Sequence, residues 1–355
     1  MSSVKSLTVT GYKSIRELRN FKLTNLNVLI GANGAGKSNF ISLFRLLNEM
    51  YEQQLQVYIQ TQGGPNSLLH FGRNTTEKLH AEFYFASNGY KFDLIPTNDN
   101  RLVFEREISW FQGYYFDSTP SATLGTGHEE SKLKDATDKY SPYVRSSVSN
   151  WRVYHFHDTG EKAKIKQKHA SNDNLRLKID AANLAAYLRM LNEKQQSHYQ
   201  RIVDTIRLVA PFFGDFVHRP GDTEYVELEW TQRGKPDTPF KASHLSDGTL
   251  RFICLATLLL QPTELLPDTI LIDEPELGLH PYAIAILADI FKQVAEKKQL
   301  IVSTQSVELV NELAQQDIIV VYKEDDASIF KRFTDEELDF IINYDIKYRM
   351  RKELE

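Results

Sequence analysis

Two groups of residues in this 355-residue chain could do chemistry together. Gly31-Ala32-Asn33-Gly34-Ala35-Gly36-Lys37-Ser38 fits the pattern G-x-x-x-x-G-K-[ST], whose glycines let successive backbone N–H groups turn inward around phosphate oxygens. Lys37 would reach the β and γ oxygens of a nucleoside triphosphate, and Ser38 would ligate Mg²⁺. Asn33, Gly34, Ala35, Gly36 and Asn39 complete the expected phosphate contacts. Far along the chain, Thr269-Ile270-Leu271-Ile272-Asp273-Glu274 is an apolar run ending in two carboxylates. Asp273 would hold Mg²⁺ through water, while Glu274, projecting differently, could orient or deprotonate an attacking water. The plainer reading, a solvated acidic loop, explains less well why two carboxylates close an apolar strand.

These residues need elements to position them. Leu26-Asn27-Val28-Leu29-Ile30 reads as a strand buried on both faces, directly before the glycine loop. Phe40, Ile41, Leu43, Phe44, Leu46 and Leu47 then recur at helical spacing, so the loop joins a strand to a helix. Strands are expected at 80–94, with Ala81, Phe83 and Phe85 on one face, and at 101–110, with a polar turn between them. Residues 112–150 turn to Ser, Thr, Gly, Asp and Lys with little periodicity, which predicts a surface insertion without a fold of its own. Leu184, Leu188 and Leu191, then Ile202, Ile206 and Val209, predict two helices ending before Pro211; 225–230 reads as a strand. Beyond Ile329 a charged helical tail is expected, with Thr334 and Glu337 spaced as a capping box. Leu245-Ser246-Asp247-Gly248-Thr249 precedes an apolar helix, and in isolation it is a common helix cap.

Its position changes that reading. Ser246 lies 27 residues before Asp273, and the whole pattern resembles an ABC-type ATPase. In that family a sequence like LSDGT is the signature motif, which implies that Ser246 and Gly248 contact the γ-phosphate bound by the opposite subunit. Glu276-Leu277-Gly278-Leu279-His280-Pro281 resembles the Walker B and D-loop form of RecF-like, OLD-like and SMC-like ATPases. That likeness suggests a D-loop role for His280, the alternative being a structural hydrogen bond. Gly11-Tyr12-Lys13-Ser14-Ile15 resembles their N-terminal F-K-S element, which implies that Lys13 and Ser14 lie near the nucleotide. Ser303-Thr304-Gln305-Ser306 takes the place of the S-T-H-S switch. Gln305 stands where many relatives carry histidine; its amide can hydrogen-bond a γ-phosphate or water but cannot take a charge. The stretch from Trp151 to Asp158 is similar to small members of the group, where His155 or His157 would approach the nucleotide. Packing is the alternative for a histidine beside Phe156.

Ser38 and Ser246 are 208 residues apart, longer than expected for a transporter subunit, and no heptad run fills the gap. The resemblance therefore narrows to a compact RecF-like form. It implies an α/β fold, a P-loop NTPase of ABC ATPase type with an N-terminal β-rich lobe and an inserted, mostly helical lobe. Residues 1–110 and 240–330 would form the ATPase core, 111–239 the insertion and helical lobe, and 331–355 the tail. ATP and Mg²⁺ follow as cofactors, with an ATP-dependent homodimer sandwiching two nucleotides. Relatives couple such a cycle to DNA, in recombination repair, chromosome maintenance or phage defence, often with a nuclease or toxin effector, here a separate chain. The alternative is a slowly hydrolysing switch that captures a partner protein without touching DNA.

Composition bounds the rest. A chain 41% hydrophobic and 25% charged has enough apolar residues for a core and is neither collagen-like nor wholly disordered. The net charge of −5 excludes a globally basic nucleic-acid coat, though Lys162, Lys164, Lys166 and Lys168, if extended, would share one face, with Arg176 and Lys178 following. That row could track a phosphate backbone; a solvated loop is the alternative. The one cysteine, Cys254, cannot form an intrachain disulfide or a zinc ribbon, fits a reducing compartment, and suits a core position. No apolar run is long enough for a membrane span and no signal-type segment opens the sequence, so a cytoplasmic location without membrane contact is expected.

Overall fold

The computed structural model describes residues 3–112, 120–219, 221 and 224–333. Its central sheet has six strands in the order Ala327–Lys331, Ile318–Glu324, Leu26–Ile30, Gln299–Thr304, Thr269–Asp273, Trp151–Tyr154. Five run parallel; the Ala327–Lys331 edge returns antiparallel. Parallel strands covered on both faces read as continuous Val, Ile and Leu runs, and successive side chains enter opposite cores. Leu29, Leu271 and Ile301 point into one core, while Val28, Ile30, Ile270, Ile272, Leu300 and Val302 fill the other.

An outer antiparallel sheet covers the first face, in the order Ile15–Lys22, Ser6–Tyr12, Leu79–Phe85, Asn88–Pro96, Leu102–Phe111, Ser121–Gly125. The helix Lys37–Tyr51 is wedged between the two sheets and buries Phe40, Leu43, Phe44 and Leu47. Phe44 meets Trp151 of the central sheet at 5.2 Å and Phe83 of the outer one at 6.0 Å between ring centroids. Burying each such ring contributes roughly 1.5–3 kcal/mol, so this helix ties the layers together. The helices Leu184–Lys194, Gln196–Val209, Asp247–Leu260 and Pro281–Ala295 cover the opposite face. The expected helical lobe thus shares its core with the central sheet, and a small sheet of Phe213–Phe216, Glu229–Gln232 and Lys235–Lys241 accompanies it.

Several expectations are corrected. The segment 80–94 is a hairpin, Leu79–Phe85 and Asn88–Pro96, reversed at Ala86, whose φ is +61°. The described residues of the span 112–150 do have ordered structure. Ser121–Gly125 adds a strand to the outer sheet, the helix Ser141–Val148 buries Val144 and Val148, and Leu133 is buried beside them. Residues 225–230 split into Tyr225–Val226 and the start of Glu229–Gln232, in different sheets. Ile329 lies within the strand Ala327–Lys331, and the helical tail with Thr334 and Glu337 lies outside the described residues. Among the described residues no helix is long and apolar enough to cross a membrane.

Candidate functional site

Register brings the motif residues to one edge. Thr304 pairs with Ile30 and Asp273 with Ser303, so Gly31, Gln305 and Glu274 all leave the sheet at its carboxyl end. Tyr154 pairs with Ile272, which sends His155, Phe156 and His157 out at the same edge. Ligands of parallel α/β sheets bind outside this edge.

The glycine loop is built by exclusion. A Cβ on Gly31 would strike the Val321 carbonyl oxygen of the neighbouring strand. Gly36 has φ +116°, and a Cβ there would meet the Ser328 and Ser14 hydroxyls. Those hydroxyls brace the loop from behind: Ser328 Oγ donates to Ala35 O at 2.5 Å and bonds Ser14 Oγ at 2.7 Å, and Asn39 Nδ2 donates to Ser14 Oγ at 2.7 Å. Ser14 and Asn39 therefore position the loop. Ala35 is buried, whereas Asn33, Gly34 and Ser38 are exposed. The helix behind the loop has no side-chain cap and no acidic residue in its first turn, so its N–H groups and positive dipole end suit an anion. Buried Lys37 donates from Nζ to Gly31 O at 2.6 Å and Ala32 O at 3.0 Å, on the loop itself. Lys13 takes a left-handed turn at φ +47° and donates to Ser42 Oγ at 3.2 Å, on the same helix. Burial, helped by Arg45, lowers its pKa.

Two strands away, about 10 Å by ordinary strand spacing, stands the acidic end. Asp273 accepts from the Ser303 hydroxyl, and its backbone carbonyl bonds His157 Nε2 at 2.8 Å. Burial lowers the pKa of His155 and the nearby Asp273 charge opposes the shift, so this neutral-leaning ring also senses Asp273. Glu274 has φ +45°, unusual for a residue with a Cβ, held by its N–H donating to Ser303 O at 2.9 Å. Its carboxylate accepts from Gln305 Nε2. The hard oxygens of Ser38 and Asp273, with Gly34 facing open space on the loop before Ser38, fit Mg²⁺ bound to a triphosphate.

Ser246 caps the helix Asp247–Leu260, its Oγ accepting from Thr249 N–H at 3.2 Å, and it is exposed. Gly248 packs so closely on the Gly278 carbonyl that a Cβ would clash. Arg251 clasps this junction, donating to Leu277 O at 2.8 Å, His157 O at 3.0 Å and Phe156 O at 3.3 Å. The turn 245–249 thus docks on the loops that follow Thr269–Asp273 and Trp151–Tyr154. His280 caps the helix Pro281–Ala295, Nδ1 accepting from Tyr282 N–H at 3.3 Å. The lysine row does not form: Lys164–Lys166 is a 3₁₀ turn over buried Ala163 and Ile165, Lys164 pairs with Asp180 and Lys166 with Asp247. Lys178 pairs with Asp173. Sequence reasoning passed over Arg251, Ser328 and Glu276. Only Glu276, the first residue of the stretch Glu276–Pro281, carried a signal.

A family model described as "AAA domain, putative AbiEii toxin, Type IV TA system" matches residues 26–311. Urease accessory protein 2 of Cryptococcus neoformans var. grubii is 29% identical over 171 residues, 46% of this chain; the chain spans 13% of that protein's length. An SmcHead solved bound to the C-winged helix domain of ScpA is similar with a TM-score of 0.60 at 15% identity, over 95% of this chain and 99% of that one. The Pyrococcus furiosus Smc head domain with an extended coiled coil, bound to the C-terminal domain of ScpA, scores 0.57 at 15% identity, over 96% and 98%. At these identities the likeness concerns the fold, which is that of a P-loop NTPase built like an SMC head.

Proposed function

The chain belongs to this AAA-domain family, and from that premise we propose that it is an ABC-type ATPase, of the RecF-like or OLD-like kind, that dimerises around ATP. The observation carrying the reading is the shared carboxyl edge of the loop 31–38, Asp273, Glu274 and Gln305, with Ser246 exposed on a turn docked against the loop that follows Thr269–Asp273. Lys37 and the first-turn N–H groups bind the triphosphate. Ser38 and Asp273 hold Mg²⁺, which when bound neutralises phosphate charge. Glu274 takes the proton of the attacking water as that oxygen bonds the γ-phosphorus and the bond to the ADP oxygen breaks. Gln305 orients the Glu274 carboxylate. Lys13 and His280 flank the nucleotide, and Ser246 and Gly248 complete the partner subunit's site.

With Lys164 and Lys166 held in ion pairs, the partner-capture reading is taken first: a closed dimer that captures an effector chain, the nuclease or toxin class being the first to test. The DNA-coupled alternative, in repair, chromosome maintenance or phage defence, loses its basic row. Lys37→Ala should abolish ATP binding in a nucleotide titration. Glu274→Gln should keep affinity, lose roughly 10²-fold in turnover and accumulate as an ATP-bound dimer on a sizing column. Unchanged ATP affinity in Lys37→Ala would sink the assignment. DNA-stimulated turnover would select the DNA-coupled reading.

A further inference from the structure

Glu276 is half-buried, and its carboxyl has two unlike oxygens. Oε1 accepts from Thr304 Oγ1 at 2.6 Å and from Gln305 N–H at 2.9 Å, whereas Oε2 is buried without a hydrogen-bond partner. Burial, with the Glu274 charge adding to it, raises the Glu276 pKa. An acid with an orphaned buried oxygen costs stability, and an apolar residue would fill the position more cheaply. What Glu276 does accomplish is local. It fixes the peptide of Gln305, whose side chain donates to Glu274, and the Glu274 N–H returns to Ser303 O. Residues 274–276 and 303–305 are thereby cross-tied, beside the strand that opens into the glycine loop.

We propose that Glu276 is a positioning residue for hydrolysis: it anchors the backbone of Gln305 and, through the Gln305 amide, sets where the Glu274 carboxylate stands. The inference rests on the reading of Glu274 as the base. Displacing a reacting group by about 1 Å can cost on the order of 10²-fold in rate without changing substrate binding, so the effect belongs in kcat. Glutamine at 276 keeps an oxygen for both bonds; aspartate, shorter by a methylene, withdraws it.

The test measures Mg²⁺-ATP turnover of the full chain. Glu276→Asp should lower kcat about 10-fold or more with KM for ATP within about 2-fold, and Glu276→Gln should stay within about 3-fold of the parent. In a Gln305→Ala background, Glu276→Asp should cause little further loss, because both act through one linkage. Wild-type kcat in Glu276→Asp, equal loss in Glu276→Gln, a rise in KM instead of a fall in kcat, or losses that add to Gln305→Ala would each overturn the proposal. Should Glu276→Asp fold poorly by thermal unfolding, Glu276→Met, close in volume but without the accepting oxygen, takes its place beside Glu276→Gln and in the Gln305→Ala background, with the same outcomes for and against. Parent turnover that does not depend on Lys37 and Glu274 would instead defeat the ATPase reading itself.

Discussion

The proposed completion of each site by the other subunit makes a quantitative demand. The turn 245–249 docks, through Gly248 and Arg251, on the loops that follow Thr269–Asp273 and Trp151–Tyr154, two and three strands from Leu26–Ile30 and so about 10–14 Å away by ordinary spacing. A hydroxyl must come within about 3 Å of a phosphate oxygen to bond it, so Ser246 cannot serve its own glycine loop. Lys37→Ala and Ser246→Arg should each be inactive alone. Mixed in equal amounts with free exchange, half of the dimers carry one of each chain, and in these one site has both defects and the other neither. About a quarter of wild-type phosphate release should return in a two-fold dimer. Ser246→Arg also removes a helix cap worth about 1 kcal/mol, a loss small enough to leave the fold intact and checkable by thermal unfolding. If the two sites must fire together, turnover stays low but ATP-induced crosslinking of the mixed dimer still appears. A mixture showing neither turnover nor crosslinked heterodimer would refute completion in trans.

Two further outcomes follow from the loop and the lysines. Gly36→Ala must displace the Ser328 and Ser14 hydroxyls and should lose ATP binding by 100-fold or more, whereas Gly34→Ala faces open space and should cost only the roughly 1–2 kcal/mol of a left-handed residue; nucleotide titration separates them. Changing Lys162, Lys164, Lys166 and Lys168 to Glu should leave the salt slope of DNA binding unchanged and lower the unfolding temperature, since Asp180 and Asp247 would face like charges; a slope reduced by two or more would restore the DNA-tracking reading.

Legibility followed local rules. The loop 31–38 and the strand Leu26–Ile30 could be read because steric demands on Gly36 and a doubly buried strand each leave a compositional mark. The Asp273–Glu274 strand end could be read for the same reason. Ser328 could not: it supports the loop from a hairpin nearly 300 residues away, and nothing local distinguishes that serine from any other. The hairpin within 80–94 did leave a local mark, the buried positions passing from odd (Ala81, Phe83, Phe85) to even (Tyr90, Phe92, Leu94) across Ser87-Asn88-Gly89, and reading one continuous strand overlooked that change of phase. In 112–150 the buried contacts are few and widely spaced, Leu133, Val144 and Val148, too sparse for a periodicity to emerge. The lysine row failed because alternation implies one face only in an extended chain, and buried Ala163 and Ile165 turn it into a 3₁₀ bend.

The placement of Leu26–Ile30 in the middle of the central sheet has a consequence for biogenesis. Its two neighbours, Gln299–Thr304 and Ile318–Glu324, are synthesised roughly 270 residues later, and Val4 and Ser14 likewise wait for Gln299 and Ser328. At about 5–20 residues per second, a nascent chain carries an unpaired apolar strand and an unsupported glycine loop for on the order of 15–60 s. Nucleotide therefore cannot assist early folding, and the chain depends on shielding of that strand until its carboxyl-terminal third has left the ribosome. Truncation before residue 299 should yield aggregate and not a smaller folded unit.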